Sequence, residues 1–198
     1  MLFPGGVLPL RIFEPRYLHM VEKCHGTNTP FGVVTLAQGS EVRNPTGPAE
    51  SFHPVGVLAH ISKLQALQPG LLMLECRGGQ RFRIDSHSQQ QLGLWTADVE
   101  LITADQASPI PLDLRPYAQS LDQLMQSLRT QHANASWLPL PESYQLDDCG
   151  WVANRWCELL PLPLLDKHNL MALDSPLLRL ELVADILAQT HFLDTPPH

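Results

Sequence analysis

The sequence lacks the short motifs that mark the common nucleotide, metal and redox sites. It has no G-x-x-x-x-G-K-[ST] phosphate loop, because none of its lysines follows a glycine. Its nine histidines are scattered, and none forms an H-E-x-x-H pair. Its four cysteines include no C-x-x-C pair, so they are interpreted as small buried apolar residues in a reducing compartment. No cofactor, metal ion or catalytic residue is predicted, and only a cluster of His53, His60 and His87 assembled across strands is left open.

Long apolar runs and basic runs are missing as well. No stretch approaches the roughly 18–20 apolar residues that a membrane span needs, so no membrane partner is predicted. The N-terminus shows no basic segment followed by an apolar one, so no secretion signal is predicted and a cytoplasmic location is expected. The net charge of −7 repels phosphate backbones, so nucleic acid is not an expected partner.

Proline is abundant, with 18 among 198 residues, and it divides the N-terminal half into short extended segments. One early helix is predicted to begin at Pro15, where the missing N–H costs nothing. Gly78 and Gly79 predict a tight hairpin. Alternating or β-branched residues predict strands over 7–13, 31–37, 54–64, 71–76, 81–85 and 92–102. These elements indicate a bent sheet or a partly closed barrel over residues 1–105.

The hydrophobic period changes beyond a proline-punctuated linker at 103–114. Ser175 is the expected N-cap of the last helix, which Pro176 opens. Apolar residues at helical spacing predict four helices, over 115–131, 146–160, 164–173 and from 176 onward. The predicted fold class is therefore α+β, with a helical bundle over residues 112–198 after the β-rich subdomain.

The opening stretch LFPGGVLPLRIFEPRYLHMV resembles the signature with which the N-terminal, substrate-binding domain of the Lon protease begins. Residues 71–102 and 151–187 resemble later parts of the same domain. The resemblance implies that the β-rich half is PUA-like, and that a set of motif residues is structural: Phe3, Pro4, Pro9, Leu10, Phe13, Glu14, Arg16, Tyr17, Gly79, Arg81 and Phe82. The family usually has one more strand before this motif, so an edge strand is expected to be missing here or encoded upstream.

The resemblance implies a binding module and not an enzyme. Ser62 and Lys63 are adjacent in a predicted strand, so they are expected on opposite faces and not as a Ser–Lys catalytic pair. The implied function is that of a stand-alone, non-catalytic domain that binds other proteins or unfolded peptide segments in a cleft between its two halves, as an adaptor in proteolysis or quality control. A homo-oligomer is left open. Two alternatives are a nucleic-acid-binding module, since PUA-like folds elsewhere bind RNA, and a small enzyme with a site assembled from scattered residues.

Three tryptophans are the predicted peptide contacts: Trp137, Trp151 and Trp156. Trp151 and Trp156 lie five residues apart, so they cannot share one narrow helix face, and one of them is expected either to be partly exposed or to lie against the β-rich half. The alternative interpretation is that these side chains fill the seam between the two halves.

Three arginines, one in the opening stretch and two in residues 71–102, are interpreted as structural. Arg16, near the start of the early helix, is expected to tie a loop down. Arg81 and Arg83 are expected on one face of a strand. An anion site there is one interpretation, and the favoured one is that they pair with carboxylates such as Asp98 or Glu100 of the next strand.

Overall fold

A computed structural model of the chain describes residues 1–39, 50–132, 139–141 and 143–190. The chain forms two compact units, Met1–Ala104 and Asp105–His198. The described part of the first unit holds five strands and one helix, and that of the second holds four helices. The predicted α+β class, strands first and helices after, is confirmed.

The first unit is an antiparallel sheet. Its elements are β1 (Val7–Ile12), α1 (Pro15–Thr27), β2 (Phe31–Gln38), β3 (Ser51–Gln68), β4 (Leu71–Gln89), a 3-10 turn at Gln91–Gly93 and β5 (Trp95–Leu101). The strand order is β1-β4-β3-β2, and β5 also pairs with β4. Because β3 occupies one side of β4, β1 and β5 lie end to end along its other side. Among the described strands the sheet is open, with β2 as one edge and β1 and β5 as the other.

Three of the apolar residues whose alternation predicts β3 are buried on one face of the sheet. Val55, Val57 and Ala59 are at most 5% exposed. On the opposite face, the ring of Phe82 lies directly over Gly32 and Gly56, where any β-carbon would clash with it. Both faces of the central strands are therefore packed, and the two glycines make room for one aromatic ring.

The predicted hairpin at Gly78-Gly79 is wrong. Strand β4 continues through both glycines, and the turn lies eight residues earlier, where Gly70 has φ 77°. Gly78 is required for a different reason, because a β-carbon there would lie 2.0 Å from the carbonyl oxygen of Phe3. The Gly5 N–H donates to the Gly78 carbonyl at 2.8 Å, and the Gly78 N–H donates to the Gly6 carbonyl at 2.9 Å. The pair of glycines therefore marks a close approach of two backbones.

The second unit consists of α2 (Arg115–Gln131), α3 (Cys149–Leu159), α4 (Leu164–Ala172) and α5 (Pro176–Thr190). The predicted helices over 115–131 and from Pro176 are confirmed, and the Ser175 hydroxyl accepts from the Leu178 N–H at 3.2 Å as expected of an N-cap. Helix α3 begins three residues later than predicted because Asp148 caps it, accepting from the Trp151 N–H at 2.7 Å.

Arg179 holds the end of α4 against α5. It is fully buried and donates to the carbonyl oxygens of Leu170 and Leu173 and to the side chains of Asn154 and Asp105. A buried guanidinium is tolerated only when its donors are satisfied, and here four hydrogen bonds between chain segments depend on Arg179. In the described part of the chain, no helix has the length and apolarity needed to cross a bilayer.

Candidate functional site

The tryptophans predicted to contact peptide belong to the second unit. Trp156 is fully buried, and its indole N–H donates to the Tyr117 carbonyl at 3.1 Å. Trp151 is 6% exposed, with Tyr144 5.7 Å away between ring centroids. Trp137 lies outside the described residues. Peptide contact by these residues stays a prediction, and at Trp151 and Trp156 it would require the helices to move apart.

Arg16 ties down the turn at Gln91–Gly93. Its guanidinium is buried, pairs with Glu14 at 3.1 Å and donates to the Gly93 carbonyl at 2.7 Å. It also lies over the ring of Tyr17, 4.5 Å from the centroid. The interpretation of Arg16 as a tie for a loop is confirmed. We call the three motif residues Glu14, Arg16 and Tyr17, which contact one another here, the clamp.

The clamp displays two apolar side chains to solvent. Phe13 precedes it in sequence and is 56% exposed. Leu92, next to the clamped Gly93, is 73% exposed and has φ 68°, a left-handed conformation that non-glycine residues rarely adopt. Strained residues persist only where the surroundings fix them, and they occur often at binding sites.

A second exposed apolar surface lies on β5. Side chains at every second position of this strand share one face, and we call the set Trp95, Ala97, Val99 and Leu101 the β5 face. Val99 is 38% exposed and Leu101 is 52% exposed. The β5 face is thus an apolar stripe that water contacts along most of its length.

Trp95 anchors one end of the β5 face in a small aromatic cluster. Its ring meets Phe52 and His87 edge to face, with centroids 5.3 Å and 5.2 Å away, and Phe52 and His87 meet at 5.8 Å. The indole N–H of Trp95 donates to the Glu50 carboxylate. The tryptophan is therefore fixed in orientation, while the apolar residues beyond it remain open.

The histidine cluster left open by the sequence does not form. His87 lies in the aromatic cluster with Trp95. His60 lies in another part of the sheet, beside Gly79 and opposite Arg77. No group of three metal-binding side chains occurs among the residues that the structure describes.

The expectation that Ser62 and Lys63 lie apart on opposite faces is wrong. The pairing of β3 with β4 is irregular between Ile61 and Lys63, and both side chains reach Glu75. The Ser62 hydroxyl donates to one carboxylate oxygen at 3.0 Å, and the Lys63 ammonium donates to the other at 3.0 Å. Glu75 therefore joins both side chains in one hydrogen-bonded group that links β3 to β4.

Arg81 and Arg83 differ in their surroundings. Arg81 is 3% exposed and shares the face of its partner Val57, so it offers no anion site to solvent. Arg83 is exposed and lies opposite Glu100 in the register of β4 and β5, as the interpretation as an ion-pair partner requires.

Burial keeps the inner cysteines as neutral thiols. It raises the pKa of Cys76 and of Cys157 from 9.0 to about 12. The pKa of Cys149 is raised as well, mainly by burial. A nucleophilic cysteine needs a lowered pKa, so these three thiols are packing residues.

The comparisons with known proteins agree with the opening signature. The family model of the ATP-dependent protease La (LON) substrate-binding domain matches residues 1–189. The chain belongs to this family. A Lon N-terminal domain protein from Xanthomonas campestris has a similar structure, with a TM-score of 0.70 and 26% identity over 93% of this chain and 92% of that one.

A second solved structure extends the likeness in fold. The N-terminal domain of the Mycobacterium avium complex Lon protease matches with a TM-score of 0.57 and 15% identity, over 93% of this chain and 91% of that one. In this chain, the opening signature contains the clamp residues and the segment that approaches Gly78, and it also contains Phe13, one of the exposed apolar residues.

Sequence reasoning missed Leu92 and the β5 face. Leu92 was placed inside a strand, although Gly93 after it is a signal for a turn. The alternation of the strand predicts that Val99 and Leu101 share one side of it, but it does not say which side water contacts. No pattern in one sequence distinguishes an apolar face that is packed from one that is not.

Proposed function

We propose that this protein is a non-catalytic module that binds exposed, extended segments of other proteins. The observation that carries the proposal is the match of the substrate-binding family over residues 1–189. The exposed apolar side chains of the first unit support it, because a surface for unfolded clients needs apolar groups that do not require prior rearrangement.

The charge and chemistry of the chain support binding without catalysis. The described titratable groups that are strongly perturbed are buried thiols, an arginine, a lysine and a tyrosine, each shifted mainly by burial. Three of them, Arg155, Cys157 and Lys167, interact with one another, but burial is the main cause of each shift, and none of the perturbed thiols has the lowered pKa of a nucleophile. We therefore propose a role in presenting clients to another protein, within the cytoplasm.

A peptide array tests this function directly. Labelled protein is applied to overlapping peptides from unfolded model proteins, and we expect retention that favours apolar, extended sequences over polar ones of equal length. A matched variant with Phe13→Ser and Leu92→Ser should lose part of this preference while its melting temperature stays within a few degrees. Uniform retention, or none, would contradict the proposal.

A further inference from the structure

The outer edge of β5 carries unpaired backbone groups. The Ile102 N–H donates to the Arg81 carbonyl at 2.9 Å, so at Ile102 the backbone faces β4. Backbone direction alternates along a strand, and Asp98 and Glu100 therefore also face β4, whereas Ala97, Val99 and Leu101 present their N–H and C=O groups outward. Within the described ranges, β5 pairs with β4 alone, and residues 96–101 are all exposed.

The three edge strands of the sheet differ in how they are protected. Strand β1 contains Pro9, which has no N–H to offer an incoming strand. Strand β2 pairs irregularly at two places, between Val34 and Leu36 and between Leu36 and Gln38, which twists its edge. Strand β5, with the sequence WTADVEL, has no proline, no glycine and no lysine, and the irregularity of its pairing lies on β4. It is the edge best able to accept another strand.

Charge around β5 selects what can be added. Asp98 and Glu100 project from the face opposite the β5 face, and Asp85 lies on the neighbouring stretch of β4, with Arg83 as the cation opposite Glu100. Two copies of β5 paired edge to edge would bring their acidic side chains together, which is unfavourable. An extended segment with apolar residues on one face and lysine or arginine on the other would satisfy both faces at once.

We propose that the outer edge of β5 binds extended segments of other proteins by strand addition, and that it prefers segments in which apolar and basic residues alternate. This inference rests on the proposed function and assigns its surface. The backbone of Ala97, Val99 and Leu101 supplies the hydrogen bonds, the β5 face receives the apolar side chains, and Asp98 and Glu100 receive the basic ones.

A capped nine-residue peptide of alternating valine and lysine is the probe. We expect the full chain to bind it at least about tenfold more tightly than the same peptide with glutamate in place of lysine, and to bind it more weakly as ionic strength rises. Two further probes carry N-methyl groups on alternate amides, in one register or the other. An added strand uses only one set of its amides for pairing, so one N-methylated peptide should lose binding and the other should keep it.

Val99→Pro tests the protein side of the contact. The Val99 N–H points outward, so proline removes an edge donor and leaves the pairing with β4 in place. Val99→Thr is the matched control, because it keeps the donor and the branched shape. We expect Val99→Pro to weaken binding of the valine–lysine peptide at least about tenfold, and Val99→Thr to weaken it about threefold or less.

Each outcome decides one point. Loss of binding in Val99→Pro together with dependence on the methylation register supports strand addition. Equal binding of both N-methylated peptides overturns it even if Val99→Pro does not fold. If Val99→Pro retains an unfolded client as well as the wild type does, the assignment of binding to the β5 edge is overturned and the proposed function stands. If the wild type is a dimer and Val99→Pro is a monomer, strand addition by other proteins is overturned, and the β5 edge is the contact between two copies of this chain.

Discussion

Leu92 combines backbone strain with an exposed apolar side chain. A non-glycine residue in the left-handed region costs about 1–2 kcal/mol, and Leu92 gains little burial in return because it is 73% exposed. The clamp of Arg16 on the Gly93 carbonyl keeps the turn in this shape. Leu92 therefore has two possible roles, one in contacts outside the fold and one in the shape of the turn.

Replacing Leu92 by glycine should separate these roles. Glycine adopts φ 68° freely but loses more entropy on folding, so we expect Leu92→Gly to leave the free energy of unfolding unchanged or to raise it by up to about 1 kcal/mol. Binding of apolar peptides should weaken. Urea denaturation measures the first effect, with Leu92→Val as a control that should be destabilised because a branched residue disfavours this conformation. A clear loss of stability in Leu92→Gly would contradict the account of the strain.

The buried thiols predict how stability depends on alkaline pH. The pKa of Cys76 and of Cys157 is about 12 in the folded chain, against 9.0 for an unperturbed thiol. Their contribution is therefore fully present below pH 9 and is lost as the pH rises toward 12, since the unfolded chain releases these protons first. Denaturant midpoints between about pH 8 and 11 should fall, and the fall should be shallower in a Cys76→Ala, Cys157→Ala double variant. Identical slopes would refute this assignment.

At the scale of elements, the close approach of β4 to the opening segment predicts an asymmetry between glycines. Gly78→Ala should destabilise the chain by about 3 kcal/mol or more, because its β-carbon would lie 2.0 Å from the Phe3 carbonyl oxygen and neither backbone is free to yield. Gly26→Ala in α1 is the matched control, since nothing lies within 4 Å of its β-carbon, and it should be neutral or stabilising by about 0.5–1 kcal/mol. Thermal melting of both variants measures the difference, and similar melting temperatures would be inconsistent with the close approach.

The helices were predictable from sequence, and the course of the long strands was not. Pro15, Pro176 and Ser175 mark helix starts locally, and the structure begins α1 and α5 where they indicate. Gly78 and Gly79 carry the local signature of a turn, but they are demanded by Phe3 and His60, which are distant in sequence. A contact between residues distant in sequence produces no periodic pattern, and for this reason the predicted hairpin at Gly78-Gly79 is wrong.

The candidate site shows the same limit. Sequence reasoning chose tryptophans because they dominate many binding surfaces, yet Trp156 is fully buried and Trp151 nearly so. The stripe of Ala97, Val99 and Leu101 has the pattern of any strand with one apolar side. Whether such a side is packed or open is a property of the whole fold.

At the scale of the molecule, net charge sets the class of partner. The value of −7 favours encounters with cationic segments and opposes polyanions at low ionic strength. The acidic side chains of β5 repeat this preference locally. Basic, unfolded clients are therefore the most informative ones to test.

The most direct measurement is the affinity of the full chain for one basic protein in two states. Ribonuclease A with its disulfides reduced and carboxamidomethylated is unfolded, and the native enzyme has nearly the same composition and charge. We predict that the chain binds the unfolded form at least about tenfold more tightly, without nucleotide. Equal affinity for the two forms, or no binding of the unfolded one, would contradict the claim that this protein recognises exposed segments of other proteins.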